Sequence, residues 1–270
     1  MRQIEIEELK KLQCEVLQAL HDYTSVSGLK YSLACGTLLG AIRHNGYIPW
    51  DDDIDVYMPR DDYDRLIKDF PESYQDRFKL ISFERSKRWC RPYANLYDDR
   101  TLCNELKSSD EEQIGVKIDI FPVDCVPDDD AEWIRFNRIR RFLIYLHSAK
   151  FVTYRKDNQP FKDKMALFLL KTALFPFSAY QVVKLVDSYI RKYNDRGTHR
   201  LFETSCGMIQ KRPFLKEDFS EVELHKFEDY EFCIMKGYHD CLTNGFGDYM
   251  KLTPVEKRVS HHYFEAYWKE

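Results

Sequence analysis

The sequence predicts an α+β fold, and three observations carry that expectation. Short apolar runs separated by polar segments fill the first 125 residues, in the pattern of strands mixed with helices. From residue 126 onward, apolar residues recur mainly at helical spacing. The chain has 270 residues, 44% of them hydrophobic and 32% charged, which supports a packed core and excludes wholesale disorder. At about 150 residues per domain the length suits one large unit or two small ones. The change of pattern divides it into 1–125, a mixed core, and 126–270, a mainly helical region.

Taken in order, Leu9, Leu12, Val16, Leu17 and Leu20 give an amphipathic first helix that ends near Gly28. Tyr31 to Cys35 is a short strand closed by Gly36, and Leu38 to Arg43 makes one or two helical turns. After Ile48-Pro49-Trp50, the run from Asp51 to Met58 ends in the alternation of a strand, and Asp61 caps a helix carrying Tyr63, Leu66, Ile67 and Phe70. Leu80 to Phe83, Tyr93 to Tyr97 and Val116 to Ile120 read as further strands. Asp128-Asp129-Asp130 starts a helix bearing Trp133, Phe136, Leu143 and Ile144, and Val182, Val183, Val186, Tyr189 and Ile190 mark another. Met165 to Phe177 is the longest apolar segment. Lys171 and Pro176 interrupt it, and it is too short for a bilayer core of about 30 Å. Its composition favours a core helix over a surface that touches lipid.

Lys and Arg total 41 against 45 Asp and Glu, a net charge of -4, which lacks the electrostatic footprint of a nucleic-acid binder. The eight cysteines are scattered without a C-x-x-C pair, and the first residues are acidic where a signal peptide would be apolar. A reducing, cytoplasmic location is the expectation.

The chemistry is concentrated between Cys35 and Val56. Asp53 and Asp55 are separated by one residue, so on a strand both carboxylates face the same way. They repel by a few kcal/mol at an effective dielectric of about 20. A divalent cation offsets that repulsion, and Mg²⁺ suits hard oxygen ligands shared with substrate phosphates. Asp119, embedded in the apolar run from Val116 to Pro122, requires a partner, either that same metal or an arginine. Asp51, Asp52 and Asp124 lie at loop edges, where solvated or turn-capping carboxylates are commoner. Gly36-Thr37 offers close backbone approach and a hydroxyl near a helix start, suited to phosphate oxygens or simply to the turn. Arg43 and His44 follow, as neutralisers of a pyrophosphate or as surface residues.

These residues resemble the LicD family of phosphotransferases, which includes fukutin-like proteins. The matching blocks are Gly36 through Arg43, Gly46, Ile48 through Asp55, Ile118 through Asp124, and Phe246 through Met250 with Pro254, Arg258 and His261. The family usually carries a proline before the Gly-Tyr step at Gly237-Tyr238, where this chain has Lys236. The resemblance implies a nucleotidyltransferase-like mixed sheet in 1–125 and a C-terminal region that completes the donor and acceptor pocket. It implies that Asp53, Asp55 and Asp119 bind Mg²⁺, with Mn²⁺ as the alternative ion, and act as the catalytic acids, and that Gly36 and Thr37 hold phosphate.

The resemblance further implies transfer of phosphocholine from CDP-choline to a hydroxyl of a cell-surface glycan such as teichoic acid or lipopolysaccharide. Such an acceptor can be lipid-linked, with the enzyme peripheral at the inner membrane face. Three alternatives stand beside it: transfer of another CDP-activated polyol phosphate such as ribitol phosphate, nucleotidyl transfer, and a non-catalytic glycan-binding protein. Choline has no hydrogen-bond donor, so its site should be aromatic. Trp50, beside the acids, and Trp89, Tyr93 and Tyr97, on or near predicted strands, are the candidates. Arg258 and His261 reach the donor phosphates or cap the last helix.

Overall fold

A computed structural model describes residues 1–105, 113–151, 165, 170–206, 210–258 and 264–269. His261 lies outside the described residues. The architecture is α+β, built on a mixed sheet whose order is β1-β2-β6-β4-β3, with β7 and β8 extending it from β6. These strands are β1 (Ser32–Leu33), β2 (Asp55–Pro59), β3 (Phe78–Ile81), β4 (Ala94–Asp98), β6 (Lys117–Val126), β7 (Arg200–Glu203) and β8 (Phe214–Leu215). β2 and β6 are parallel, and β6 meets both β4 and β7 antiparallel.

β6 is longer than Val116 to Ile120 suggests, because it runs through Pro122. Proline has no N–H to give a ladder, and Pro122 falls between the segment paired with β4, which ends at Ile120, and the one paired with β7, which begins at Val123. The missing donor is thus placed where neither neighbour needs it.

Helix α1 (Ile6–Ser27) buries Leu9, Leu12, Val16, Leu17 and Leu20 and ends at Gly28, whose φ of 62° is the left-handed cap conformation that glycine adopts without strain. α2 (Cys35–His44) follows β1, and α3 (Arg60–Asp69) follows β2 directly. Asp61 is therefore inside the first turn of α3 rather than its cap, which is Pro59. α4 (Asp130–Phe151) opens with Asp129 Oδ1 accepting from Glu132 N at 2.8 Å, and α5 (Ala179–Ile190) opens on a Ser178–Gln181 capping box.

Beyond α5 the chain returns to strands. β9 (Val222–Phe227) and β10 (Tyr230–Met235) form a hairpin, α6 (Tyr238–Phe246) follows, and β11 (Phe264–Trp268) pairs with β5 (Thr101–Glu105). The main core draws on both halves, joining Leu17, Val56 and Ile120 to Phe202, Phe227 and Phe232. Of the segment Met165 to Phe177, Leu174 is core while Met165, Phe175 and Phe177 are exposed. Among the described residues no helix is long and apolar enough to cross a membrane.

Candidate active site

The acids gather where β2 begins. Asp55 and Asp119 are register partners on the parallel strands β2 and β6, so their side chains leave the same face of the sheet. The ring contact between Tyr57 and Phe121, the next partners on that face, has centroids 6.5 Å apart. Asp53 lies in the extended segment ahead of β2, not on the strand itself. There Asp51, Asp52 and Asp53, all half-buried, bring carboxylate oxygens within 4.8 Å of one another. Asp51 and Asp52 are therefore part of the acid cluster, against the expectation that they sit at a solvated loop edge.

Burial first, and then the charges of Asp53, Asp119 and Asp51, push the Asp55 carboxyl well above the usual carboxylate range, with Lys117 opposing. Lys117 Nζ lies 3.1 Å from Asp119 Oδ1, and Asn95 Nδ2 donates to the same oxygen and to Ile118 O at 3.0 Å. No arginine pairs with Asp119 among the described contacts.

The segment around Gly36 sets this geometry. A Cβ on Gly36 would stand 2.5 Å from Asp51 Oδ2, so glycine makes room for that carboxylate. Thr37 is buried, and its Oγ1 accepts from Asp55 N at 2.9 Å, which ties the first turn of α2 to the start of β2. Cys35, just ahead, has φ 49°, a left-handed conformation that costs a non-glycine residue about 1–2 kcal/mol. Ala34 N donates to Asp55 O at 2.9 Å and Asp119 N to Ile54 O at 2.9 Å, which completes the frame.

A second group is cationic. Arg258 stacks over Trp50 with its guanidinium 5.1 Å from the ring centroid. Arg43 donates through Nη1 to Tyr249 O at 2.8 Å and through Nε to His44 Nδ1 at 3.4 Å. Burial and then the charge of Arg258 lower the Arg43 pKa, and burial and then Arg43 lower that of His44. Arg43, His44 and Arg258 thus form one basic group, with Arg258 against Trp50, the residue next in sequence to Asp51.

The predicted aromatics do not assemble into one open box beside the acids. Trp89 is buried beside Ile81 and Ile114, with Arg91 5.0 Å over its ring and its Nε1 donating to Tyr93 O at 3.3 Å. It belongs to a satellite core and is removed from the headgroup candidates. Tyr97 packs against that same cluster. The face of Trp50 is shared with Arg258. Tyr93 is the one nearest Asp119 in effect: its ring packs at a tilt against Phe121, centroids 4.7 Å apart, and its hydroxyl pKa is raised by burial, with Arg91 opposing the rise and Asp119 adding to it.

Lys117, Asn95 and Glu203 were not expected. Lys117 was legible, since its spacing from Asp119 puts both on one strand face. Asn95 and Glu203 come from distant strands, and only the registers Asn95↔Asp119 and Glu203↔Val123 bring them to this face. Glu203 Oε1 accepts from Ser205 Oγ at 2.5 Å and Cys206 N at 2.7 Å, which shapes the turn beside the acids.

A family model for the LicD/FKTN/FKRP nucleotidyltransferase domain matches residues 28–163. The lipopolysaccharide cholinephosphotransferase LicD of Haemophilus influenzae is 32% identical over 276 residues, spanning 99% of each chain. An uncharacterized protein of Rickettsia prowazekii is 34% identical over 77 residues, 28% of this chain and 29% of that one.

Proposed function

This chain belongs to the LicD family, and from that premise we propose that it transfers phosphocholine from CDP-choline to a hydroxyl of a lipopolysaccharide-type glycan. The observation that supports the reading most is the facing pair Asp55 and Asp119 on parallel strands, with Asp53 close enough that its charge, like that of Asp119, pushes the Asp55 carboxyl up. Carboxylates brought together in this way repel one another, and a divalent cation bound among them would offset that repulsion.

The donor set suits Mg²⁺, because every group in it is a hard carboxylate oxygen. Asp53, Asp55 and Asp119 would hold the ion once their carboxylates draw together; among the described residues the oxygens already within 4.8 Å of one another are those of Asp51, Asp52 and Asp53. Mn²⁺ accepts the same ligands. The ion, when bound, neutralises the donor's diphosphate and stabilises charge on departing CMP.

The chain's own residues then have distinct work. Arg43 and Arg258 attract and orient the diphosphate near Trp50. Asp119 accepts the proton of the acceptor hydroxyl as its oxygen bonds to the phosphorus carrying choline; the bridging P–O bond to CMP breaks and CMP leaves with that electron pair. Lys117 and Asn95 hold the Asp119 carboxylate in place.

The scattered aromatics favour a second reading, in which the headgroup is a polyol such as ribitol rather than choline. Incubation with CDP-choline or CDP-ribitol, Mg²⁺ and lipopolysaccharide, read as CMP release, tests both. CDP-choline turnover that depends on metal and acceptor supports the proposal, turnover of CDP-ribitol alone selects the second reading, and a product carrying CMP would indicate nucleotidyl transfer.

A further inference from the structure

α4 presents two faces with different chemistry. Its inner face packs Trp133 and Phe136 toward Phe202, and Arg140 Nη1 donates to Thr204 O at 3.1 Å while His147 Nε2 lies 2.6 Å from Cys90 O. Its outer face carries Ile134, Arg138, Arg141 and Tyr145, spaced as one helical stripe, with Phe142 beside it. Ile134, Phe142 and Tyr145 are 58%, 58% and 54% exposed. Arg135, Arg138 and Arg141 are exposed too, and none is held by an ion pair to a described residue. The acids of the helix's first turn are engaged elsewhere, Asp130 by Arg200 and Glu132 by the Tyr193 hydroxyl.

A second element packs against the C-terminal end of α4. Ala149, near the end of α4, packs on Leu174, and Lys150 Nζ donates to Leu174 O at 2.5 Å. The turn that follows Leu174 leaves Phe175 84% and Phe177 52% exposed. Two phenylalanines turned outward at the end of a basic, aromatic helix face are an arrangement that water does not stabilise.

We propose that this face docks on an anionic lipid bilayer, with the α4 arginines at the headgroups and Phe175 and Phe177 inserted at the acyl boundary. Charge argues for that occupant. The chain as a whole is negative, at -4, so a face with three exposed arginines that make no ion pair with a described residue is a local specialisation. A second copy meeting the same face about a two-fold axis would set arginine against arginine. Phenylalanine and tyrosine beside arginine are the residues of a membrane interface. The inner face of the same helix is fixed to the body of the protein through Thr204 and Cys90, which leaves the outer face as the one that meets the lipid. The inference does not depend on the transfer chemistry.

The test is co-sedimentation of the full chain with vesicles of phosphatidylcholine alone or of phosphatidylcholine mixed with phosphatidylglycerol. The phosphatidylglycerol vesicles should bind the chain more than tenfold better, roughly the effect of two arginines, and salt should weaken that binding. Arg138→Glu/Arg141→Glu should abolish the preference, and Phe175→Ser/Phe177→Ser should weaken binding to either vesicle, both with unchanged melting temperature. Equal binding to the two vesicles, no binding, or no effect of either double variant overturns the proposal. So does light scattering that shows a dimer split by Arg138→Glu/Arg141→Glu, which would assign the face to a second copy.

Discussion

Strand β6 carries two carboxylates, Asp119 and Asp124, whose surroundings are opposite. Asp124 is fully buried, and Arg60 meets it in a fork, Nε to Oδ1 at 2.7 Å and Nη2 to Oδ2 at 2.8 Å. Asn194 Nδ2 donates to Oδ1 at 2.8 Å and the Thr204 hydroxyl to Oδ2. That carboxylate is saturated and compensated. Asp119, on the other face of the same strand, lies 3.1 Å from Lys117 and opposite Asp55, whose carboxyl also feels the charges of Asp53 and Asp51. A saturated acid holds elements together, whereas adjoining carboxylates that raise the pKa of a neighbour mark a candidate functional site.

The largest expected effect separates these centres. Asp55→Asn should reduce CMP release about 10²- to 10³-fold, while thermal melting is unchanged or rises, because asparagine cannot ionise at a position where burial and the neighbouring carboxylates oppose a charge. Arg60→Met should do the reverse to stability. It leaves Asp124 buried without its guanidinium, a loss of about 3–5 kcal/mol in urea denaturation, and Arg60→Met/Asp124→Leu should recover most of it. A melt in which Asp55→Asn is as harmful as Arg60→Met would erase the distinction.

Gly36→Ala gives a subtler separation. Alanine gains up to about 1 kcal/mol of helix propensity over glycine, and the obstacle it meets is the flexible end of Asp51. Stability should hold while turnover falls about ten- to a hundredfold through displacement of that carboxylate. Unchanged turnover would take Asp51 out of the site.

The smallest effect concerns a third buried acid. Burial acts to raise the Asp98 pKa, but hydrogen bonds from Arg100 and Arg77 outweigh it and hold the carboxyl below its usual value. A lowered folded-state pKa means that the contribution is complete above the unfolded pKa of about 3.9 and fades as pH falls through the folded value. Arg100→Gln should therefore lower the melting temperature slightly at neutral pH, by under about 1 kcal/mol because Arg100 is half exposed, and that difference from the parent should vanish in strong acid.

How much of this was legible follows from range. The frame from Leu9 to Phe70 is local, set by periodicity, Gly28 and Pro59, and the sequence reading follows it closely. The pairing of Asp55 with Asp119 rests on a parallel register that no local pattern encodes, although two acids in apolar runs and the family resemblance pointed to it. Asp124 was misread as a loop-edge carboxylate because its partner, Arg60, lies on another element. Trp89 was misplaced for the same reason: residue type says aromatic, and only packing says which core. The strands after Arg200 were missed because short hairpins such as Val222–Met235 mix exposed charges with their apolar positions.

Calorimetric titration of Mg²⁺ into the parent chain and into Asp55→Asn, each with CDP-choline present, bears most directly on the acid centre. Saturable binding to the parent that weakens by more than about tenfold in the variant, roughly 1.4 kcal/mol, with both proteins equally folded by circular dichroism, is the predicted result. Equal binding by the two proteins, or none by the parent, would contradict it.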